Sequence, residues 1–274
     1  MAGLRIAPKT FATRYRQSAK SLQKLTVDLP HDLPPETIHD LRVSTRRTQV
    51  MRRLLSKRTR RSRDSKMFDL SLKFLLKATS QIRDLDTLTM TLGTDRASLP
   101  DELFRSLESE RSHAAASARA GVRAISKSPA PAIRPSDIDG RKLSRRLRRR
   151  VEARAQSVRE MLGAVLEDES KIEELHALRI AVKKLRYLLE LADGNPPESS
   201  VVTEWQDILG SIHDLDVAEV YVQSNQWRFA KENALQELRR RRHQGYLRFV
   251  RKYREDSHRR LKESRILGAR TVSH

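Results

Sequence analysis

Two short segments recur, in the same order, in both halves of this chain, and no other feature restricts its fold as strongly. His39–Arg47 reads HDLRVSTRR, and His176–Lys184 reads HALRIAVKK, an offset of 137 in a chain of 274 residues. His, Leu and Arg are identical, while Val/Ile and two Arg/Lys exchanges keep the side-chain chemistry. IRDLD at 82–86 returns as IHDLD at 212–216, an offset of 130. A weaker echo sets Arg111-x-His113 against Arg241-x-His243 at that same offset. Self-similarity at half the chain length means that each half is one structural unit on a shared plan.

Apolar periodicity predicts helices over 10–26, 36–60, 64–92, 101–126, 140–166, 170–193, 198–223 and 227–263. Pro30, Pro34 and Pro35, the stretch from Gly93 to Pro100, and Gly194–Pro197 interrupt them. The longest break, KSPAPAIRPSDID at 127–139, holds three prolines and no periodicity, so it reads as a linker. Gly and Pro together number only 19, too few for a turn-rich β fold. The expectation is all-α: a first four-helix bundle over 1–127, a linker over 128–139 and a second bundle over 140–274.

Lys and Arg exceed Asp and Glu by 21, with 41 Arg against 15 Lys. The excess is spread, +13 over 1–137 and +8 over 138–274. A field of this sign attracts polyanions: nucleic acid, an anionic membrane or a phosphate polymer. Arginine suits phosphate because a guanidinium bonds two oxygens at once. The lack of cysteine excludes disulfides, thiolate clusters and cysteine nucleophiles. No apolar run approaches a membrane span and no leader-like segment follows Met1, so a soluble, cytoplasmic protein is expected.

The repeated helix has two faces. At about 100° per residue, Arg42, Arg46 and Arg53 fall within about 60° of His39, with Gln49 at the edge. His176, Arg179, Lys183 and Arg186 make the equivalent stripe in the second copy. Leu41, Thr45, Thr48 and Leu55 lie opposite the first stripe, and Leu178, Val182, Leu185 and Ala192 opposite the second. Each helix therefore buries one side and presents a line of cations ~10–15 Å long on the other. Like charges stacked at helical spacing are destabilising unless something anionic lies along them. That anion is either a ligand or the carboxylates of Asp84, Asp86, Asp214 and Asp216 on a neighbouring helix.

HxLRVxxRR followed about 40 residues later by RDLD, all of it repeated, resembles the CHAD family, the conserved histidine α-helical domain. The resemblance covers nearly the whole chain. It implies two four-helix bundles related by pseudo-twofold symmetry, with a basic groove or channel between them. It also implies binding of inorganic polyphosphate and association with polyphosphate granules. Carried over by position, the implied site comprises His39, Arg42, Arg46 and Arg47 in the first copy. In the second it comprises His176, Arg179, Lys183, Lys184 and Arg186. Arg53 continues the first stripe, and Lys73, Lys77 and Arg83 extend it. His213 stands where the first copy has Arg83, and Gln49 where the second has Arg186, so the halves are not expected to contribute equally.

Other chemistries fit less well. His39 and His176 have Arg42 and Arg179 one turn on, where a metal site would need a ligand, and guanidinium groups repel a cation. No metal and no cofactor is expected, and the histidines serve as donors to phosphate. The phosphate-loop, GxSxG, HExxH and dinucleotide signatures are absent, as is the ExExK motif of the triphosphatase domain fused to some relatives. A non-catalytic binder is expected. The alternative is non-specific nucleic-acid binding through backbone phosphates. Against it, aromatics are 5% of the chain and only Tyr187 interleaves a stripe, leaving little on which bases could stack. RRLRRR at 145–150 and RRRR at 239–242 cover all sides of their helices and read as general electrostatic attraction. Membrane binding is not expected, because no large apolar face accompanies the bases.

Overall fold

The computed structural model describes residues 4–27, 29–30, 32–94, 96, 99–194, 196, 198–224, 231–259 and 267. These form α1 (Pro8–Val27), α2 (Pro35–Leu54), α3 (Arg63–Ala78), α4 (Ser80–Gly93), α5 (Asp101–Ser126), α6 (Gly140–Glu167), α7 (Ile172–Leu189), α8 (Glu198–Ser224) and α9 (Lys231–Arg259). A 3-10 turn occupies Pro135–Asp137, and no strand occurs among the described residues. The fold is all-α, as the periodicity requires. Of the expected last helix, 227–230 and 260–263 lie outside the described residues.

The helix expected over 170–193 covers only Ile172–Leu189, and two other differences from the periodic reading have a local reason. The helix expected over 36–60 ends at Leu54, where buried Leu55 turns extended (φ −66°, ψ 158°). The helix expected over 64–92 breaks at Thr79 (φ −96°, ψ 5°) into α3 and α4. Buried Thr79 donates its hydroxyl to Leu75 O at 2.7 Å, and Arg42 donates to the same hydroxyl and to Leu76 O. A side chain from another helix thus takes up a carbonyl that a continuous helix would have used, a recognised cause of kinks.

The described residues gather into two compact units, one drawn from 6–94 and 100–143, the other from 1–5, 95–99 and 144–274. In the first unit α5 lies against α1, α3 and α4, while α2 packs on α1, α3 and α4. In the second, α8 lies against both α7 and α9. The segment expected as a linker is seated on the first unit. Ile133 is buried, Ser128 Oγ lies 2.8 Å from Ser71 Oγ, and the Pro135–Asp137 turn packs on α1.

Burial repeats in register. On α2 and α7, Ile38, Leu41, Thr45, Thr48, Met51 and Arg52 match Leu175, Leu178, Val182, Leu185, Leu188 and Leu189 at the offset of 137, all buried. Along α3–α4 and α8, Leu72, Leu75, Thr79, Ile82, Leu85 and Leu88 match Val202, Trp205, Leu209, Ile212, Leu215 and Ala218 at 130. Each inward position is set by the 3.6-residue repeat, so equal register means an equal buried face.

Candidate functional site

In the second unit, buried Leu175, Leu178, Val182 and Leu185 fix one side of α7 inward. His176, Arg179 and Lys183 are thereby left half-buried on the other side, and Lys184 is exposed. The IHDLD segment of α8 sets His213 directly against His176. Their Nδ1 atoms are 3.1 Å apart and the ring centroids 4.5 Å apart at 47°. One Nδ1 must donate and the other accept, so a single proton lies between the rings. Burial pushes His213 down to about 4, and the positive fields of Arg179, His176 and Lys183 add to it. These four candidates therefore share one environment. Arg186 is turned aside, Nε lying 3.1 Å from Glu190 and the guanidinium 5.3 Å from the Tyr187 ring centre.

The first unit places its candidates less evenly. His39, Arg47, Arg53, Lys73 and Lys77 are exposed, and Arg46 and Arg83 are half-buried. Arg42 is only 8% exposed, and its Nη1 donates to Leu76 O at 2.8 Å and Thr79 Oγ1 at 3.0 Å. Its guanidinium thus holds the end of α3, a structural role that the stripe pattern does not reveal.

The second acid of each repeated DLD segment serves a different arginine. Their sequence positions suggest that Asp86 and Asp216 orient the stripe cations. Instead Arg111 Nε on α5 donates to Asp86 Oδ1, and Arg242 Nε on α9 donates to Asp216 Oδ1, each at 2.6 Å. The same guanidiniums reach back to the loop before the stripe helix. Arg111 Nη2 donates to Leu33 O at 2.6 Å, and Arg242 Nη2 to Glu169 O at 2.9 Å. Leu33 is buried with φ +48°, a conformation rare outside glycine, and this bond helps hold it there. Each unit therefore has one arginine bracketing the entry to its stripe helix against its DLD helix.

The bracket also corrects the weak third echo. Arg111 corresponds to Arg242, not Arg241, so the α5–α9 offset is 131 and His113 matches Gln244 rather than His243. His113 bonds to Ser109 O, whereas His243 lies 2.8 Å from Glu169 Oε2. Within RRRR at 239–242, Arg242 is buried and structural, while Arg239 and Arg240 form exposed pairs with Glu219 and Glu237. A carboxylate 26 residues away decides that difference, and no local pattern reports it.

Among the described residues no three His, Asp or Glu side chains converge as a metal site requires, and no helix is long and apolar enough to cross a membrane. A cleft of about 430 Å³ between α1 and the 128–134 segment, lined by Tyr15, Leu22, Phe68 and Ile133, holds none of the candidate residues.

The sequence model of the CHAD domain matches residues 13–223. No curated protein matches the sequence. The fold is similar to the CHAD domain from the plant Ricinus communis, with a TM-score of 0.59 at 18% identity, covering 92% of this chain and 93% of that one. It is also similar to PptA from Streptomyces chartreusis, with a TM-score of 0.62 at 16% identity, covering 91% of this chain and 99% of that one.

Proposed function

This chain belongs to the CHAD domain family, and we propose that it binds inorganic polyphosphate, without turnover, through the cationic faces of α2 and α7. The observation that carries this reading is the cluster of half-buried His176, Arg179 and Lys183 on one face of α7, with His213 of α8 set against His176. Burial lowers the affinity of His213 for a proton, and the positive charges of Arg179, His176 and Lys183 lower it further, the same field that an incoming phosphate would meet. Anionic oxygens relieve the repulsion among those groups, and the guanidinium supplies paired donors. A role at polyphosphate granules follows from the family resemblance. Nucleic acid is the poorer ligand because Tyr187, the aromatic within the stripes, is buried beneath Arg186 and offers no platform for a base.

The test is a titration of long-chain polyphosphate against single-stranded and duplex DNA of equal phosphate count at physiological salt. Polyphosphate should bind more tightly, its affinity should fall steeply as salt rises, and no orthophosphate should be released. Arg46→Ala with Arg179→Ala should then lower affinity about a hundredfold or more, each lost charge-assisted contact being worth ~1.5–3 kcal/mol. Arg123→Ala with Arg149→Ala removes the same charge from exposed positions and should cost only a few-fold. Equal losses would mean a diffuse polycation, and tighter DNA binding would overturn the ligand assignment.

A further inference from the structure

We propose that anion binding by the second unit is proton-coupled: a phosphate chain seated on α7 draws a proton onto His213 as it binds. This rests on the polyphosphate reading and adds a regulator to that same site, the pH. The geometry is the imidazole pair, with Nδ1 atoms 3.1 Å apart between α7 and α8. While the rings share one proton the pair is closed. A second Nδ1 proton would set two N–H groups against each other, so a doubly charged pair must open and turn an N–H outward, toward an anion.

The surroundings favour a neutral His213 until an anion arrives. On α7, His213 faces His176, Arg179 and Lys183, all of which oppose its protonation. On its own helix Asp214 is adjacent, and Asp216 is bound by Arg242. On α9, the other helix packed against α8, Arg242 is held by Asp216, and His243 lies against Glu169. A bound phosphate chain cancels the field of Arg179 and Lys183, so the cost of charging His213 falls. By linkage the proton then strengthens the anion's binding to the same extent. The first unit carries Arg83 in this register position, a charge that does not titrate. Only the second unit carries this titrating group.

Internal phosphates of a long polyphosphate stay singly charged between pH 5 and 7.5, so a change of affinity in that range belongs to the protein. Affinity for long-chain polyphosphate should rise about tenfold from pH 7.5 to 5, up to one decade per pH unit for each proton taken up. Calorimetry in two buffers of different ionisation enthalpy should show proton uptake on binding at pH 5.5. NMR of histidine-labelled protein should show the His213 midpoint moving upward from about 4 when polyphosphate is added. His213→Arg should flatten the slope and bind more tightly than wild type at pH 7.5. A His213 midpoint unmoved at saturating polyphosphate overturns the inference, as does a wild-type slope in a folded His213→Arg chain. If that variant loses its helices, the NMR titration of the wild-type chain decides alone. Failure to bind at either pH is a separate result that overturns the polyphosphate reading itself.

Discussion

The stripe helices α2 and α7 turn the same positions inward but bury different chemistry there. Where α7 has Val182, Leu185 and Leu189, α2 has Thr45, Thr48 and Arg52, every one essentially inaccessible. Thr45 and Thr48 satisfy their hydroxyls on Leu41 O and Ser44 O. Arg52, 1% exposed, donates Nε to Asp69 Oδ1 at 2.7 Å and Nη2 to Ser65 O and Ser65 Oγ at 2.9 and 2.6 Å. In the second unit Ser199 replaces Asp69, so the acid and the base are exchanged together. Thr45, Thr48 and Arg52 are tolerated inside one copy because each donates to a nearby oxygen, and the apolar residues of the other copy need no acceptor. Register settles which positions are inside, and partners settle what can stand there.

The largest effect expected from testing this contrast is at Arg52. Arg52→Leu gives the first unit the residue of the second but strands Asp69 and the Ser65 groups. It should cost about 3–5 kcal/mol, the range for breaking a buried pair, read from urea unfolding. Adding Asp69→Ser completes the exchange and should restore most of the loss. If Arg52→Leu alone is neutral, the polar core of the first unit is not held by its pairing and the contrast fails.

A smaller effect is expected at the brackets. Arg111→Met and Arg242→Met each remove a charge-assisted bond worth about 1.5–3 kcal/mol. Arg111→Met should be the more damaging, because the Asp86 side chain is 1% exposed and Asp216 is 12% exposed. Burial already pushes the Asp86 carboxyl upward, against the opposing pull of Arg111. Without Arg111 the folded state should bind its proton more readily than the unfolded chain, so the deficit should narrow as pH falls and widen as it rises. Unfolding midpoints of both variants at pH 5 and 7.5 would show this, and a larger loss for Arg242→Met would reverse the ranking.

The smallest effect is expected on the solvent side of the same register. Leu70 and Phe74 are exposed on α3, where α8 has Ser200 and Glu204. Leu70→Ser with Phe74→Glu should change stability by no more than about 0.5 kcal/mol per site, since exposed side chains lacking special contacts contribute little. A larger loss in thermal unfolding would mean that this face is an element of the first unit's structure.

Much of the site could be read without coordinates. Leu41, Thr45 and Thr48, and Leu178, Val182 and Leu185, are buried as the periodicity requires, whereas Leu55 and Ala192 are buried although they lie past the ends of α2 and α7. His176, Arg179 and Lys183 stand together on the other face of α7. Helical spacing places Arg42 among the stripe cations, although it is buried against the end of α3. No sequence pattern distinguishes Arg52, although it is the most deeply placed base of α2. Both are cations on a helix rich in cations, and helical spacing alone does not separate those that reach solvent from those that reach a carbonyl or carboxylate.

The sequence by itself therefore determined the fold class, the duplication, the inward face of each repeated helix and the cationic lines. All of these depend on spacing along the chain and on the 3.6-residue turn. Tertiary structure decided which cations are spent on structure. Arg42 found Leu76 O 34 residues on, Arg52 found Asp69 17 residues on, and Arg242 found Asp216 26 residues back. It also decided that His176 meets His213, 37 residues away. Those outcomes turn on where one helix sets its side chains against the next. A long flexible guanidinium can satisfy either a phosphate in solvent or a buried oxygen of the protein, and only packing brings the second within reach.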